Sequence, residues 1–245
     1  MTIWIDPPAW PAHGRLWSHL VSDRSYDELH DFAAAQGIPR RAFEGDHYDV
    51  PEERYAALVG AGAQPVAGRD LVRILRASGL RVQKRRLERV VASVPDAAWL
   101  PPGSRADVIA SRQAEPPSTT VVVRLALWRG EELLVVDRIA GGGPDLPSAP
   151  VGALDTGAVL DHLHAVVMGG PVRASTTLLG YVRNTVPQPD ADYPWPVPTA
   201  AFAVWTDEVG AGTRALAGRW VLPAEVEDEL STRHWWPLVS GGPRR

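Results

Sequence analysis

The sequence predicts a two-domain protein of mixed α/β fold, and three observations support this prediction. The chain has 245 residues, which fits two domains of roughly 100–150 residues each. Its content of 45% hydrophobic and 22% charged residues is typical of soluble chains that bury a sizeable core. In both halves, strand patterns are followed by amphipathic helix patterns, as in α/β and α+β domains.

The formal charge divides the chain into three regions. Residues 1–79 sum to −3, residues 80–117 to +3 and residues 118–245 to −4. Prolines mark the middle region, as is common in interdomain segments. We therefore predict a small domain over 1–79, a basic, proline-containing connection over 80–117 and a second domain over 118–240. The basic run at 81–89 is predicted as a solvated helical face, with contact to a polyanion as the alternative.

Several classes of protein are excluded by composition. Because the chain has no cysteine, it can form no disulfide, zinc–thiolate site or iron–sulfur cluster. No apolar run approaches the roughly 18 residues of a membrane span, and residues 1–8 lack the basic start of a signal peptide. The net charge of −4 gives no strong nucleic-acid signal. We expect a cytoplasmic protein without membrane attachment, and we leave open whether it forms a homo-oligomer.

The first domain is predicted as a small α/β unit. Residues 2–6 and 16–21 are rich in β-branched and aromatic residues and predict strands. Ser25 and Glu28 fit a capping box, which starts a helix that ends near Gly37. Two further helices are predicted, one beginning at 49–52 and ending near residue 60, the other over 70–77.

The histidines of this domain are its candidate functional residues. Four of the seven histidines lie in the first 47 residues, several of them close to acids. Histidine titrates near neutrality, shuttles protons and is a common metal ligand. We predict a catalytic site of His19, His30, His47 and Asp49, with a divalent metal as an open question. The alternative is structural, because single histidines can flank a core and Asp49 can cap a helix.

The same motifs resemble a short family of unknown function, found alone in phage-type proteins and at the front of longer bacterial ones. The resemblance covers about residues 1–79. It rests on Asp6, His19-Leu-Val-Ser-Asp23, Glu28-Leu-His30 and Gly45-Asp46-His47-Tyr48-Asp49. It implies that His19, His30, His47 and Asp49 belong to the family pattern, and it implies no particular reaction.

The second domain begins with a predicted β-hairpin. Residues 119–128 and 131–138 are apolar strands joined by a tight connection at Gly130. A loop over 141–147 leads to a helix over 156–168, whose buried stripe contains Leu160 and Leu163. The remaining predicted elements are strands over 176–186 and 200–205 and a short acidic helix over 224–230.

This order of elements is similar to the Nudix fold over about residues 118–240. The similar phrases are Leu146-Pro147, Leu179-Gly-Tyr181-Val-Arg-Asn, Ala200-Ala-Phe-Ala-Val-Trp205 and Gly218-Arg-Trp220-Val-Leu-Pro. The resemblance implies an α/β/α sandwich. In that family, glutamates of a loop and helix called the Nudix box hold divalent ions that bind a pyrophosphate.

The Nudix box of this chain is degenerate. If its final glycine is Gly169, the two metal-binding glutamates fall on Val166 and Val167. If it is Gly170, they fall on Val167 and Met168. Magnesium requires oxygen ligands, and losing ions that activate water costs a rate factor of roughly a thousand or more. The sequence therefore argues against ordinary magnesium-dependent Nudix hydrolysis.

Two functions remain open. The first is a protein whose Nudix-like domain has lost its magnesium-binding glutamates but binds a nucleotide-type or phosphorylated small molecule, or a partner chain. The resemblance implies that aromatic and arginine side chains would hold this ligand, and the candidates are Arg138, Tyr181, Arg183 and Trp205. The second is an enzyme whose chemistry uses the histidine cluster, with the Nudix-like domain positioning substrate. As the alternative to ligand binding, the aromatic strand residues Tyr181 and Trp205 belong to the hydrophobic core.

Overall fold

The computed structural model describes residues 2–138 and 142–243. The chain divides into two compact units, residues 1–83 and 84–245. Within the described residues there are two β-sheets and six α-helices, which confirms the predicted mixed α/β class. In this part of the chain, no helix has both the length and the apolar character needed to cross a bilayer.

The first unit is a five-stranded sheet with three helices. Its strands are β1 (Ile3–Ile5), β2 (Trp10–Ala12), β3 (Arg15–Ser22), β4 (Tyr48–Pro51) and β5 (Gln64–Pro65), and its helices are α1 (Tyr26–Ala35), α2 (Glu52–Gly60) and α3 (Gly68–Ala77). The sheet order is β2-β3-β1-β5, and β4 also pairs with β3. Strands β1 and β5 are parallel, and the other pairs are antiparallel.

Both faces of this sheet are covered by apolar residues. Leu20 and Val21 are neighbours in β3 and therefore point to opposite faces. Leu20 packs in a cluster with Leu29 of α1 and Leu58 of α2. Val21 packs in a second cluster that includes Leu71 of α3. The central strand β3 is thus held from both sides, which fixes the direction of its polar side chains as well.

Two predicted helix starts differ from the structure in an informative way. Ser25 caps α1 as predicted, accepting from the Glu28 backbone N–H at 3.2 Å. The Glu28 carboxylate accepts from the Ser22 hydroxyl at 2.6 Å, so it does not complete the predicted capping box. Asp49 is not a helix cap: α2 begins at Glu52 after Pro51, and Asp49 lies in β4. Pairing with β3 extends this segment before the helix can begin.

The second unit is a nine-stranded sheet with three helices. Its strands are β6 (Glu88–Pro95), β7 (Arg105–Ser111), β8 (Thr120–Arg129), β9 (Glu132–Asp137), β10 (Pro144–Asp145), β11 (Ser148–Pro150), β12 (Thr177–Thr185), β13 (Thr199–Glu208) and β14 (Arg219–Val221), and its helices are α4 (Thr156–Met168), α5 (Glu227–Leu230) and α6 (Trp236–Val239). The order is β10-β9-β8-β13-β12-β7-β6, with β11 on β8 and β14 on β9. Strands β8 and β13 are parallel.

The region predicted as a basic connection contributes two strands to this sheet. Strand β7 pairs with β6 on one side and β12 on the other. The basic run at 81–89 forms no helix, and Glu88 and Arg89 begin β6, so the predicted helical face is wrong. Other charged residues of this region are paired within the sheet. Arg105 lies 3.0 Å from Asp107, whose carboxylate also accepts from Arg183 at 3.1 Å. A count of basic residues therefore assigns β7 to a linker, because it does not show which carboxylates pair with them.

The elements after residue 118 mostly match their predicted positions. Helix α4 spans the predicted residues and is capped by Asp155, which accepts from the Ala158 backbone N–H at 2.9 Å. It ends at Gly169, whose φ of 83° favours glycine. The predicted loop over 141–147 begins at residue 141, which lies outside the described residues, and it contains the short strand β10.

Candidate metal centre

Three potential metal ligands converge on one face of the first sheet. Pairing of β3 with β4 places His19 directly opposite Asp49, and His47 immediately precedes β4. The Asp49 Oδ1 atom lies 3.9 Å from His19 Nε2 and 3.2 Å from His47 Nε2. One ligand atom from each of the three residues lies within 4.8 Å of the other two. This arrangement of two imidazoles and one carboxylate can hold a single metal ion.

Each of the two imidazoles is held by a buried carboxylate on its far side. His19 Nδ1 lies 3.0 Å from Asp6 Oδ2, and His47 Nδ1 lies 2.5 Å from Asp46 Oδ1. Asp6 and Asp46 are only 2% and 5% exposed. An ionised carboxylate can only accept, so each Nδ1 donates and Nε2 is the atom left for a metal. Ligating histidines in metalloproteins almost always have such a partner, which fixes ring orientation and tautomer.

The charges of this cluster stabilise one another. Burial alone would raise the pKa of Asp6, but hydrogen bonds from the ring and backbone N–H of His19 outweigh it and hold this pKa below its usual value. Burial alone would lower the pKa of His47, but hydrogen bonds to Asp46 and Asp49 and their charges raise it to about 9. Without a metal, the His47 imidazole is therefore protonated at neutral pH. This positively charged ring lies between Asp46 and Asp49 and balances their negative charges.

The centre is open to solvent on the Asp49 side. The Asp49 side chain is 42% exposed and lines a cavity of about 310 Å³ together with Trp10, Trp17 and Glu44. The Trp10 indole meets the His19 ring edge-on at 5.3 Å and donates to Asp6 Oδ2 at 3.3 Å. Three protein ligands beside an open cavity leave a coordination position for water or substrate, as in catalytic metal sites.

The fourth predicted residue, His30, has a different environment. Helix α1 directs it toward aromatic residues: its Nδ1 lies 2.8 Å from the Tyr48 hydroxyl and its ring lies 4.6 Å from that of Phe43. Burial, assisted by the charge of Arg40, lowers the pKa of His30 to about 4, so the ring is neutral at physiological pH. His30 is not one of the three converging ligands, and its contacts make it part of the packing of α1.

Three of the four predicted ligand residues of the second unit make contacts within its interior. The Tyr181 hydroxyl donates to Glu88 Oε2 at 2.9 Å, and Arg183 donates to Asp107 at 3.1 Å. Trp205 is 6% exposed. These contacts give each residue a role in the fold. Arg138, the fourth, is half exposed.

The polar residues of α4 stabilise the end of that helix. Asp161 accepts from the Val172 backbone N–H at 3.1 Å, and His164 Nδ1 lies 2.7 Å from the Gly170 carbonyl oxygen, to which it donates. Each of the two side chains is thus engaged with backbone that follows the helix. Of the residues onto which the predicted Nudix box would place glutamates, Val166 is half exposed and Val167 is 2% exposed.

Asp6 and Asp46 belong to the centre but were not among the predicted site residues. Asp46 is adjacent to His47, which is a usable local signal. Asp6 reaches His19 because its backbone N–H donates to the His19 carbonyl at 3.2 Å, just beyond the β1–β3 pairing. That contact spans 13 residues and cannot be inferred from local spacing.

We predict that Asp6→Asn weakens binding of Zn²⁺ by the full chain about 10- to 100-fold. If the new amide donates to His19 Nδ1, the ring proton moves to Nε2, the atom that faces the centre. Isothermal titration with Zn²⁺ measures the change. Asp23→Asn is the matched control, because Asp23 also accepts from a backbone N–H and from a tryptophan indole but contacts no histidine. Equal effects of both substitutions would contradict the orienting role of Asp6.

Comparison with known proteins confirms the predicted resemblance of the first region. Residues 3–78 match a family described as a protein of unknown function, DUF4031. This match covers about a third of the chain. A search of curated proteins finds no match.

Among solved structures, the chain is similar to a mutant of the Bacillus subtilis pyrophosphohydrolase BsRppH. The match has a TM-score of 0.38 and 11% sequence identity, and it covers 59% of this chain and 84% of that chain. This likeness is weak. A likeness of this strength says nothing about the chemistry of residues 118–240.

Proposed function

We propose that the first unit is a divalent-metal-dependent hydrolytic enzyme whose metal ligands are His19, His47 and Asp49. One observation supports this above the others: each imidazole is anchored through Nδ1 to a buried carboxylate while its Nε2 faces the same Asp49 oxygen. Such anchoring is typical of metal-ligating histidines. It orients both rings so that their Nε2 atoms face Asp49, the one carboxylate that they share among the described residues.

Zinc fits this donor set best. Imidazole and carboxylate are its usual ligands in catalytic sites, with bonds of about 2.0–2.2 Å. Tetrahedral bonds of that length place neighbouring ligand atoms roughly 3.3 Å apart. The two distances to Asp49 Oδ1, 3.2 and 3.9 Å, lie close to this value. Uptake of zinc requires His47 to lose the proton on Nε2, while Nδ1 continues to donate to Asp46.

The reaction class follows from the open position. A bound zinc ion would lower the pKa of its water to near 7 and so supply a hydroxide nucleophile at neutral pH. Such a nucleophile would hydrolyse an ester by adding to its carbonyl carbon, and the leaving oxygen would depart with a proton from solvent. Asp6 and Asp46 hold the ligating rings in place during this step. The acidic lining of the cavity, with Glu44 beside Asp49, favours neutral or cationic substrates.

For the second unit, we retain as a second candidate the binding of a nucleotide-type or phosphorylated ligand. The valines at the box positions offer no oxygen ligand for magnesium. An exposed guanidinium at Arg138 supports this role, because planar guanidinium groups bind phosphate with two parallel hydrogen bonds.

The hydrolytic proposal is tested with the zinc-loaded full chain and 4-nitrophenyl acetate, a neutral ester. We expect hydrolysis to depend on Zn²⁺ and to be lost in His19→Ala. His162→Gln is the control, since His162 is exposed on α4. Zinc binding without any hydrolysis would overturn the enzymatic proposal and leave a metal-binding unit. Equal hydrolysis by His19→Ala and the wild type would place the reaction elsewhere.

A further inference from the structure

Two side-chain nitrogens of an arginine in the apolar strand β8 of the second unit have no hydrogen-bond partner among the described residues. Arg124 lies between Ser148 of β11 and Val204 of β13. Its Nε and Nη1 atoms are buried, and neither has a hydrogen-bond partner among the described residues. Burial lowers the pKa of this guanidinium. Burying hydrogen-bond donors of a charged group without acceptors is unfavourable, so the burial of these two nitrogens requires an explanation.

The guanidinium of Arg124 packs against one aromatic ring, which contacts further aromatic residues. It lies over the ring of Phe202, with Cζ 5.6 Å from the ring centroid. Phe202 contacts Trp195 edge-on at 5.4 Å and His234 at 6.2 Å. Trp99 stacks on His234 at 6.2 Å with an interplanar angle of 25°, and it is 54% exposed. The exposed indole of Trp99 is thus connected to Arg124 through His234 and Phe202, and a flat aromatic group can stack on it.

The nearby charges are mostly positive. Burial together with the charges of Arg124, Arg138 and Arg233 lowers the pKa of His234 to about 4, against an opposing effect of Asp145. Asp145 is already occupied, because its Oδ1 accepts from the Trp235 indole and from the Leu146 backbone N–H, both at 2.8 Å. The three arginines face one carboxylate, Asp145, which also pairs with Arg138 at 3.8 Å. Neither Nε nor Nη1 of Arg124 bonds to a described carboxylate.

We propose that Arg124 binds the phosphate of a nucleoside-phosphate ligand whose base contacts Trp99. The guanidinium would gain the hydrogen bonds it lacks, the phosphate would neutralise the local excess of positive charge, and the exposed indole would cover the base. This proposal rests on the second candidate function, ligand binding by the second unit. It requires no metal in the first unit.

The test measures binding of ADP and inorganic pyrophosphate to the full chain by titration calorimetry. We expect the wild type to bind ADP, and Arg124→Met to bind it at least tenfold more weakly. Arg214→Met is the matched control, since Arg214 is exposed in the same unit. Pyrophosphate lacks a base and is expected to bind more weakly than ADP, with the same dependence on Arg124.

Thermal unfolding of the ligand-free variants separates a binding role from a structural one. Replacing a buried, unpaired charge by an apolar side chain of similar size is often neutral or stabilising. Arg124→Met should therefore melt at or above the wild-type temperature. Failure of the wild type to bind either probe, or unchanged binding by Arg124→Met, would overturn the proposal. So would a lower melting temperature of the ligand-free variant. Zinc binding by Arg124→Met stays at the wild-type level, so failure of this proposal and failure of the metal centre are distinguishable.

Discussion

Replacing His47 by alanine should lower the affinity of the full chain for Zn²⁺ by about a thousandfold or more. His47 Nε2 lies closer to Asp49 Oδ1 than His19 Nε2 does, at 3.2 Å compared with 3.9 Å. The substitution removes one of three ligands and leaves Asp46 buried without its imidazole partner. Competition with a chelator of known affinity measures the change.

The matched control for this prediction is Asp161→Ala. Asp161 neighbours histidines in the sequence, as His47 neighbours acids. Its carboxylate lies in the second unit, where it accepts from a backbone N–H. Zinc affinity should stay within about twofold of the wild type, because the metal ligands are untouched. If both variants lost zinc affinity equally, the loss would reflect general instability and the assignment of His47 as a ligand would fail.

Replacing Gly180 by alanine should lower the free energy of unfolding of the second unit by about 3 kcal/mol or more. Gly180 lies in β12 at an irregularity in its pairing with β13 and has a φ of 154°. A Cβ atom would lie 2.1 Å from the Ile109 carbonyl oxygen and 2.9 Å from the Ala110 Cα. Both contacts are with backbone of β7, which cannot move without breaking its own pairing.

Urea unfolding followed by tryptophan fluorescence measures this loss. Gly212→Ala is the matched control, because a Cβ at Gly212 meets nothing within 4 Å and its φ is not in the left-handed region. It should change the free energy of unfolding by less than about 1 kcal/mol. A similarly small change for Gly180→Ala would contradict the close approach of β12 and β7.

Elements with strong local patterns could be predicted from the sequence. Helix α4 follows from its apolar spacing, its Asp155 cap and its terminal glycine. Strand β8 follows from a long run of β-branched and aliphatic residues. Strands β6 and β7 were missed because their charged residues are neutralised by partners on other strands, such as Arg183 on β12. Pairing between distant strands leaves no local signal.

The candidate site was predictable only in part for the same reason. His19, His47 and Asp49 were identified by residue type and proximity in sequence, and the structure brings them together through the pairing of β3 with β4. His30 fits the same sequence pattern, but α1 packs it against Tyr48. Arg124 lies in a strand that its apolar neighbours predict correctly. Its candidate role was not predicted, because only the folded chain shows that Nε and Nη1 lack hydrogen-bond partners among the described residues.

X-ray absorption spectroscopy at the zinc edge, on the full chain loaded with one equivalent of Zn²⁺, tests the metal centre most directly. We expect a first shell of nitrogen and oxygen at about 2.0–2.1 Å, with the outer-shell scattering of two imidazoles. In His47→Ala, any residual zinc should show one imidazole. A shell of oxygen alone, or the same two-imidazole signature in His47→Ala, would contradict a centre built from His19, His47 and Asp49.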